Sequence, residues 1–545
     1  MQKEILELRN LIKNRNIDKA YEQAKRLNKI NKNNIEIVKI LAFLFIQRNQ
    51  FDATISILSE CYLDKPNEKD FDYFVNMGTS YKALEEYEKS LDMYQEAKKI
   101  DPESPFCYTV PAEINLKIRN FDKALDLVNV ALEKINNSDA RNSIHFPNAV
   151  KLKTEINVAL KKDNENIKML TTLLEQQFHP DMFYLLATID STMIDDKLLD
   201  QALEHLKHND SVFENKLDRF WFVHPLYFAL AIYYEKKDKA KSEGYYHLGN
   251  NETMNSLRYN SFSYQKNINK IFEHYQNNFK YKATDKEIGS NNIFILGTPR
   301  SGTTLIESII ASNEEVTSGG ELISASKYID EFVNAKEDLD ENELVNNFIK
   351  KYLSKTDFLR AKHKKHNKIV DKLPENFLFI GYILKLLPGA KIIRTFRNPW
   401  DVATSLYKQR YVTNIPYSAS FFNLGVFMSN FEAVNLYWND VIQEKNNLLD
   451  VRYEDLINDT DLYQKKIYNF LEIKSEYDEE KRRGFFAQTA SIRQISSPVH
   501  KRSIEKKDFL DKKREFYEAL KMQRKYWEKN GINYETSDFF GYILE

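Results

Sequence analysis

The sequence predicts a chain of α plus α/β class: a helical solenoid over residues 1–275, a linker over 276–291, and a three-layer α/β domain with a central parallel sheet over 292–545. Three observations carry this expectation. Small residues recur at Ala20, Thr54, Ser90 and Ala124, spaced 34, 36 and 34, the period of paired-helix repeats. The stretch Asn291–Glu321 passes from a buried-type strand through a glycine-rich turn into a helical pattern. Beyond it, short apolar strands alternate with helices, as in a parallel sheet covered on both faces.

At 545 residues the chain exceeds what one hydrophobic core usually organises. Hydrophobic residues at 42% and aromatic residues at 13% argue against wholesale disorder. The 79 Lys and Arg stand against 80 Asp and Glu with the signs interspersed, so no basic field recommends a nucleic acid as partner. Cys61 and Cys107 are the only cysteines, which excludes a disulfide scaffold or a cysteine metal site and suits a reducing compartment. The start, MQKEILELRNLIKNRN, is charged throughout and lacks the apolar core of a signal peptide. The most apolar window, Phe220–Tyr234, is interrupted by His224 and Pro225 and is too short for a membrane span. The expected location is cytoplasmic.

The repeat is plainest in FDYFVNMGTSYKALEEYEKSLDMYQEAKKIDP, where Phe74, Met77, Gly78, Tyr81, Ser90, Tyr94, Ala97 and Pro102 hold the offsets of a tetratricopeptide repeat. Small residues let the paired helices approach, and Pro66 matches Pro102 in ending the second helix. From Asn136 to Asp210 the pattern degenerates, and residues 226–251 read as one more helical pair. A solenoid presents a concave face, so the repeats either hold an acceptor or partner or shield the domain that follows. The residues do not choose between these.

Within Asn291–Glu321, Ile293 to Leu296 form the strand, and Leu305, Ile306, Ile309 and Ile310 recur at helical spacing. Between them Gly297 and Gly302 let successive N–H groups converge ahead of a helix N-terminus, an anion site. Of 14 glycines in the chain, Gly297, Gly302, Gly319 and Gly320 fall here. The spacing is that of a nucleotide-binding P-loop, but Thr303 stands where its lysine belongs, which disfavours a nucleoside triphosphate with magnesium and a kinase reading. Arg300 supplies a forked cation instead, and Ser301, Thr303 and Thr304 supply hydroxyls, a set suited to a phosphosulfate.

These residues resemble the 5′-phosphosulfate loop, in its PRSGTTL form, of sulfotransferases that use 3′-phosphoadenosine 5′-phosphosulfate. The resemblance implies a P-loop-like sulfotransferase domain, that donor, and cofactor-binding roles for Arg300, Ser301, Gly302, Thr303 and Thr304. A second stretch, KIIRTFRNPWDVATSLY, ends a strand at Arg397 and opens a helix at Pro399. Arg397 and Ser405, eight residues on, can converge on one anion at the carboxyl edge of the sheet, and in the resembled family this pair holds the 3′-phosphate. LLDVRYEDLINDTD resembles the family's last core strand and its turn, Tyr453 to Leu456. TASIRQISSPVHKRSI resembles the loop that covers the cofactor, which implies phosphate contacts from Ser491, Arg493, Lys501 and Arg502. The glycine and tryptophan expected just after it are replaced by Glu505 and the run to Asp508. The resemblance covers roughly residues 225–535, and repeats followed by such a domain is the order of bacterial tetratricopeptide sulfotransferases.

Transfer of a sulfuryl group to a hydroxyl needs a base for the hydroxyl proton and positive charge at the breaking bridge oxygen. No histidine occupies the segment Asp371–Pro374; His363 and His366 lie before the strand in a basic run. Glu321, after Gly319 and Gly320, matches the glutamate base of protein-tyrosine sulfotransferases, and burial can tune a carboxylate to the task. A glutamate there could instead complement a helix N-terminus. Lys372, at the end of its strand, is the candidate for the bridge-oxygen charge. No metal is implied. The expected acceptor is a hydroxyl on a peptide tyrosine, a saccharide or a small alcohol, and the rival reading is a repeat scaffold with a vestigial sulfotransferase fold.

Overall fold

The computed structural model describes residues 2–534 apart from 15, 33, 137–144, 208–215, 258, 284, 336–339, 362–366, 413–414, 475–476 and 487–507. The chain divides into two compact units, 1–161 and 162–545.

In the first unit, helices from Gln2–Lys13 to His145–Ala159 pack each against the next and alternate helices against one another. Ala20, Thr54, Ser90 and Ala124 are all fully buried. The hydroxyls among them bond the facing helix: Ser90 Oγ donates to the Gly78 carbonyl at 2.7 Å and Thr54 Oγ1 to that of Ala42 at 3.3 Å. The turn inside each pair also keeps the repeat period, because Asn49, Glu85 and Arg119 all adopt the left-handed conformation, with φ of 57°, 59° and 62°. Outside glycine that conformation costs about 1–2 kcal/mol. It is offset by bonds that close the preceding helix, from the N–H of Gln50, Glu86 and Asn120 to carbonyls five residues back at 2.8 Å.

The second unit opens with helices Asp163–Gln176, Pro180–Asp190, Asp196–Lys207, Lys216–Tyr234, Lys239–Ser256 and Ser261–Glu273. Helices thus continue through the stretch where the repeat signature fades. Leu170, Leu174, Phe183, Leu186 and Ala202 keep the apolar spacing there and are buried, without the glycine and tyrosine landmarks of the earlier pairs. The pair read over 226–251 is present, and Ser242 Oγ donates to the Ala231 carbonyl at 2.8 Å, as Ser90 does in its own pair. The chain then runs through a π turn, His274–Asn278, to Phe279, which is 2% exposed.

Among the described residues five strands form one sheet, β1 (Asn292–Gly297), β2 (Val316–Ser318), β3 (Lys368–Asp371), β4 (Lys391–Phe396) and β5 (Leu448–Arg452), parallel throughout in the order β2-β3-β1-β4-β5. The strands expected over Ile293–Leu296 and up to Arg397 fall at β1 and β4. β1 is buried along its whole length because both its faces are covered. Ile293 and Ile295 face Leu305, Ile306, Ile309 and Ile310. Phe294 and Leu296 join the other core, which holds Phe377, Trp438 and Trp527 together with Phe228, Ile268, Ile271 and Phe272 from the helices before the sheet. No helix among the described residues is long and apolar enough to cross a membrane.

Candidate active site

In a parallel sheet the strand ends on one edge carry the ligand groups, and strand order fixes their sequence across that edge. Here the order sets Glu321 (after β2), Lys372 (after β3), the Gly297–Gly302 loop (after β1), Arg397 (after β4) and Tyr453 (after β5) side by side. Residues more than 150 apart in sequence become neighbours because β1 sits in the middle.

The loop turns sharply at Arg300, which has φ of 72°, and at Gly302, with φ of 101°. A Cβ on Gly302 would stand 2.5 Å from the Tyr453 ring, so that position accepts no side chain. Ser301 Oγ donates to the Thr298 carbonyl at 2.6 Å and pairs with Thr395 Oγ1 on β4, pinning the loop to the sheet. Thr303 and Thr304 open the helix Thr303–Ala311 and are buried. The strain at Arg300 buys a specific aim: its Nε donates to Ser405 Oγ at 2.9 Å, and its carbonyl accepts from Arg397 Nη1 at 2.8 Å. Arg300, Arg397 and Ser405 therefore form one cluster. Arg397 lies over the Tyr453 ring, 4.4 Å from its centre, and Asn398 caps the helix Pro399–Tyr407 by accepting from Trp400 and Asp401 N–H. Burial, with the like charge of Arg397 nearby, lowers the pKa of Arg300 from the ordinary guanidinium value. A bound anion would reverse that penalty.

On the other side of the loop Lys372 is 1% exposed and its Nζ lies 2.5 Å from Glu321 Oε1. The backbone secures the pair, since Lys372 N–H donates to the Gly320 carbonyl at 2.8 Å. Glu307 lies beneath, fully buried, 3.9 Å from Lys372 Nζ and bonded by Ser318 Oγ at 2.6 Å. Sequence reading passed over Glu307, although a carboxylate amid Leu305, Ile306, Ile309 and Ile310 was a visible break in an apolar helix. Ser491, Arg493, Lys501 and Arg502, with His363 and His366, lie outside the described residues. Among the described residues no cluster of His, Cys, Asp and Glu is arranged to hold a metal ion.

Helices preceding the sheet brace this edge. Just past Ser405, the end of its helix is bonded by His247 Nδ1 to Tyr407 Oη (2.7 Å) and by Asn250 Nδ2 to the Tyr407 carbonyl (2.9 Å). Lys408 pairs with Glu235 at 3.2 Å. Arg410 pairs with Asp181 at 3.0 Å and donates to His224 Nδ1 at 3.2 Å. His224 is fully buried and its pKa is held well below the usual value by burial and by Arg410. Neutral, it can accept from Arg410. These contacts follow no motif, which is why sequence reading missed them.

Residues 292–479 match the sequence model described as the sulfotransferase family. That segment is a sulfotransferase-family domain. An uncharacterised protein of Aquifex aeolicus is 31% identical over 232 residues, 39% of this chain, and the match spans 30% of that relative's length. Among solved structures, the sulfotransferase domain of the Synechococcus PCC 7002 olefin synthase is 18% identical, with 45% of this chain and 98% of that one covered, at a TM-score of 0.29. The C-terminal part of a TPR repeat-containing protein from Cytophaga hutchinsonii is 16% identical, covering 45% of this chain and 93% of that one at a TM-score of 0.31. Within the sulfotransferase domain, the cation cluster and the Lys372–Glu321 pair flank the same loop.

Proposed function

We propose that this chain transfers a sulfuryl group from 3′-phosphoadenosine 5′-phosphosulfate to an acceptor hydroxyl. The observation that carries this reading is the cluster in which a left-handed Arg300 joins Ser405 and Arg397 at the carboxyl edge of the sheet, beside a lysine–glutamate pair. The residues present suit the donor: two buried guanidiniums, loop N–H groups and hydroxyls form a cradle for two anionic groups without needing a metal. When bound, the donor supplies an activated sulfuryl group whose bond to the phosphate oxygen breaks as the bond to the acceptor oxygen forms. Glu321 takes the acceptor's proton, and Lys372 puts positive charge beside the oxygen that leaves. Ser491 and Lys501 complete the proposed donor contacts. The repeats recruit the acceptor or a partner that carries it, and the acceptor is a peptide tyrosine, a saccharide or a small alcohol.

Adenosine 3′,5′-bisphosphate should bind and raise the melting temperature without magnesium. Losing one charge-assisted contact typically removes about 1.5–3 kcal/mol, roughly tenfold to more than a hundredfold in affinity. Arg397→Ala should show that loss by calorimetry. Equal affinity in the variant refutes the 3′-phosphate assignment, and tighter binding of ATP with magnesium would favour a kinase.

A further inference from the structure

Glu375 follows Lys372 by three residues, in the 3₁₀ turn Pro374–Phe379, and the reaction as described gives it nothing to do. That turn packs against helices Ser261–Glu273 and Phe421–Val441. They bring up Tyr264 and Phe427, whose rings lie 6.1 Å apart. Tyr417 stacks on Phe427 at 3.9 Å, and Tyr259 stands 6.1 Å from Tyr417. The result is an aromatic wall next to the Lys372 strand end.

The polar atoms in this wall are unmatched. Glu375 is mostly buried yet still reached by solvent, and among the described residues no hydrogen bond or ion pair reaches its carboxyl. The phenol oxygens of Tyr264 and Tyr417 are buried without a hydrogen-bond partner among the described residues, and Tyr417 is only 4% exposed. Neither amide atom of the fully buried Asn376 has a partner there either. The groups lie close enough to act on one another electrostatically: after burial, Glu375 is the charge that acts most on both phenols, and Glu321 is the charge that acts on Glu375. Elsewhere in the same unit a more deeply buried carboxylate is paired, since Glu432, 1% exposed, receives Arg524 Nε at 2.6 Å. A buried carboxylate is costly without a cation, and aromatic faces attract one.

Resting on the sulfotransfer reading, we propose that Glu375, Tyr264 and Tyr417 form an acceptor subsite that selects a hydroxyl compound carrying a protonated amine. The amine occupies the unpaired carboxyl and the ring faces, which leaves the hydroxyl toward Glu321. A neutral sugar or phenol would satisfy the phenol oxygens but not the carboxylate.

The test uses the full chain and matched probes: tyramine against 4-ethylphenol, and glucosamine against glucose, each titrated with and without saturating adenosine 3′,5′-bisphosphate. In at least one pair the amine should bind tighter by roughly tenfold or more, with Glu375→Gln reducing the preference to within about twofold and leaving the bisphosphate affinity unchanged. Tyr417→Phe, which removes one oxygen, should weaken the amine severalfold and serves if the glutamine variant does not fold. Equal or tighter binding of the neutral member in both pairs, or no binding by any probe, overturns the proposal, as does a preference that survives Glu375→Gln and Tyr417→Phe. Failure of the bisphosphate to bind counts against the donor reading alone, because the amine preference is also read in its absence.

Discussion

Glu321→Gln should lower turnover by about 10²–10⁴-fold, the usual contribution of a positioned general base, while the affinity for adenosine 3′,5′-bisphosphate stays within severalfold of the parent. The amide keeps the shape and loses the basicity. The alternative role for this residue is complementing a helix dipole, worth about 0.3–1 kcal/mol. The helix that follows begins at Ser324, and the carboxylate turns instead to Lys372. Because the substitution also removes the nearer partner of a buried ammonium, Glu321→Asp is the informative companion: it keeps the charge near Lys372 but retracts the base. Activity should then fall less than in the glutamine variant. A glutamine variant that transfers sulfate within severalfold of the parent rate, at saturating donor and acceptor, eliminates Glu321 as the base.

The second large effect concerns where the chain can be cut. A chain beginning at residue 162 should fold and bind the bisphosphate, whereas one beginning near 285 should do neither. The shorter fragment loses Phe228, Ile268, Ile271 and Phe272 from the core that contains Phe294 and Trp438. Truncating one large core side chain costs about 2–5 kcal/mol, and a domain's whole stability is about 5–15 kcal/mol. It also removes Asp181 and His224, leaving Arg410 without the two partners it meets at 3.0 and 3.2 Å. Near-ultraviolet circular dichroism and a bisphosphate titration on both fragments decide the matter. A fragment from 285 that is folded and binds normally would show the helices 163–273 to be dispensable. If the first unit recruits a macromolecular acceptor, the fragment from 162 should turn over that acceptor poorly and a small one normally.

Much of this architecture was legible in the residues because it depends on local signals. Ile293–Leu296 and Lys391–Phe396 are apolar runs of strand length ended by Gly297 and Arg397, and they are the strands β1 and β4. Ala20, Thr54, Ser90 and Ala124 announced the helix pairs because only small residues fit where the helices touch, and all four are fully buried. What was not legible depends on pairs distant in sequence. The bond from Arg300 to Ser405 joins residues 105 apart, and that from Arg410 to His224 joins residues 186 apart. Neither follows from periodicity. Between 163 and 207 the helices expected of the solenoid are present, but their pairing was not legible because apolar spacing survives there without the residues that mark a repeat.

The bracing of Tyr407–Arg410 by Asp181, His224, His247 and Asn250 bears on how such a chain can change over generations. Repeat arrays usually gain and lose units freely, since each unit touches only its neighbours. In the first unit the pairs carrying Asn49, Glu85 and Arg119 share one left-handed turn, so the same freedom is expected among them. It stops at the helices that grip the end of the helix Pro399–Tyr407. Duplication, deletion or exchange of repeats there would displace Ser405 along with the scaffold, so selection would prune such variants even when every recognisable motif in the strands remained intact.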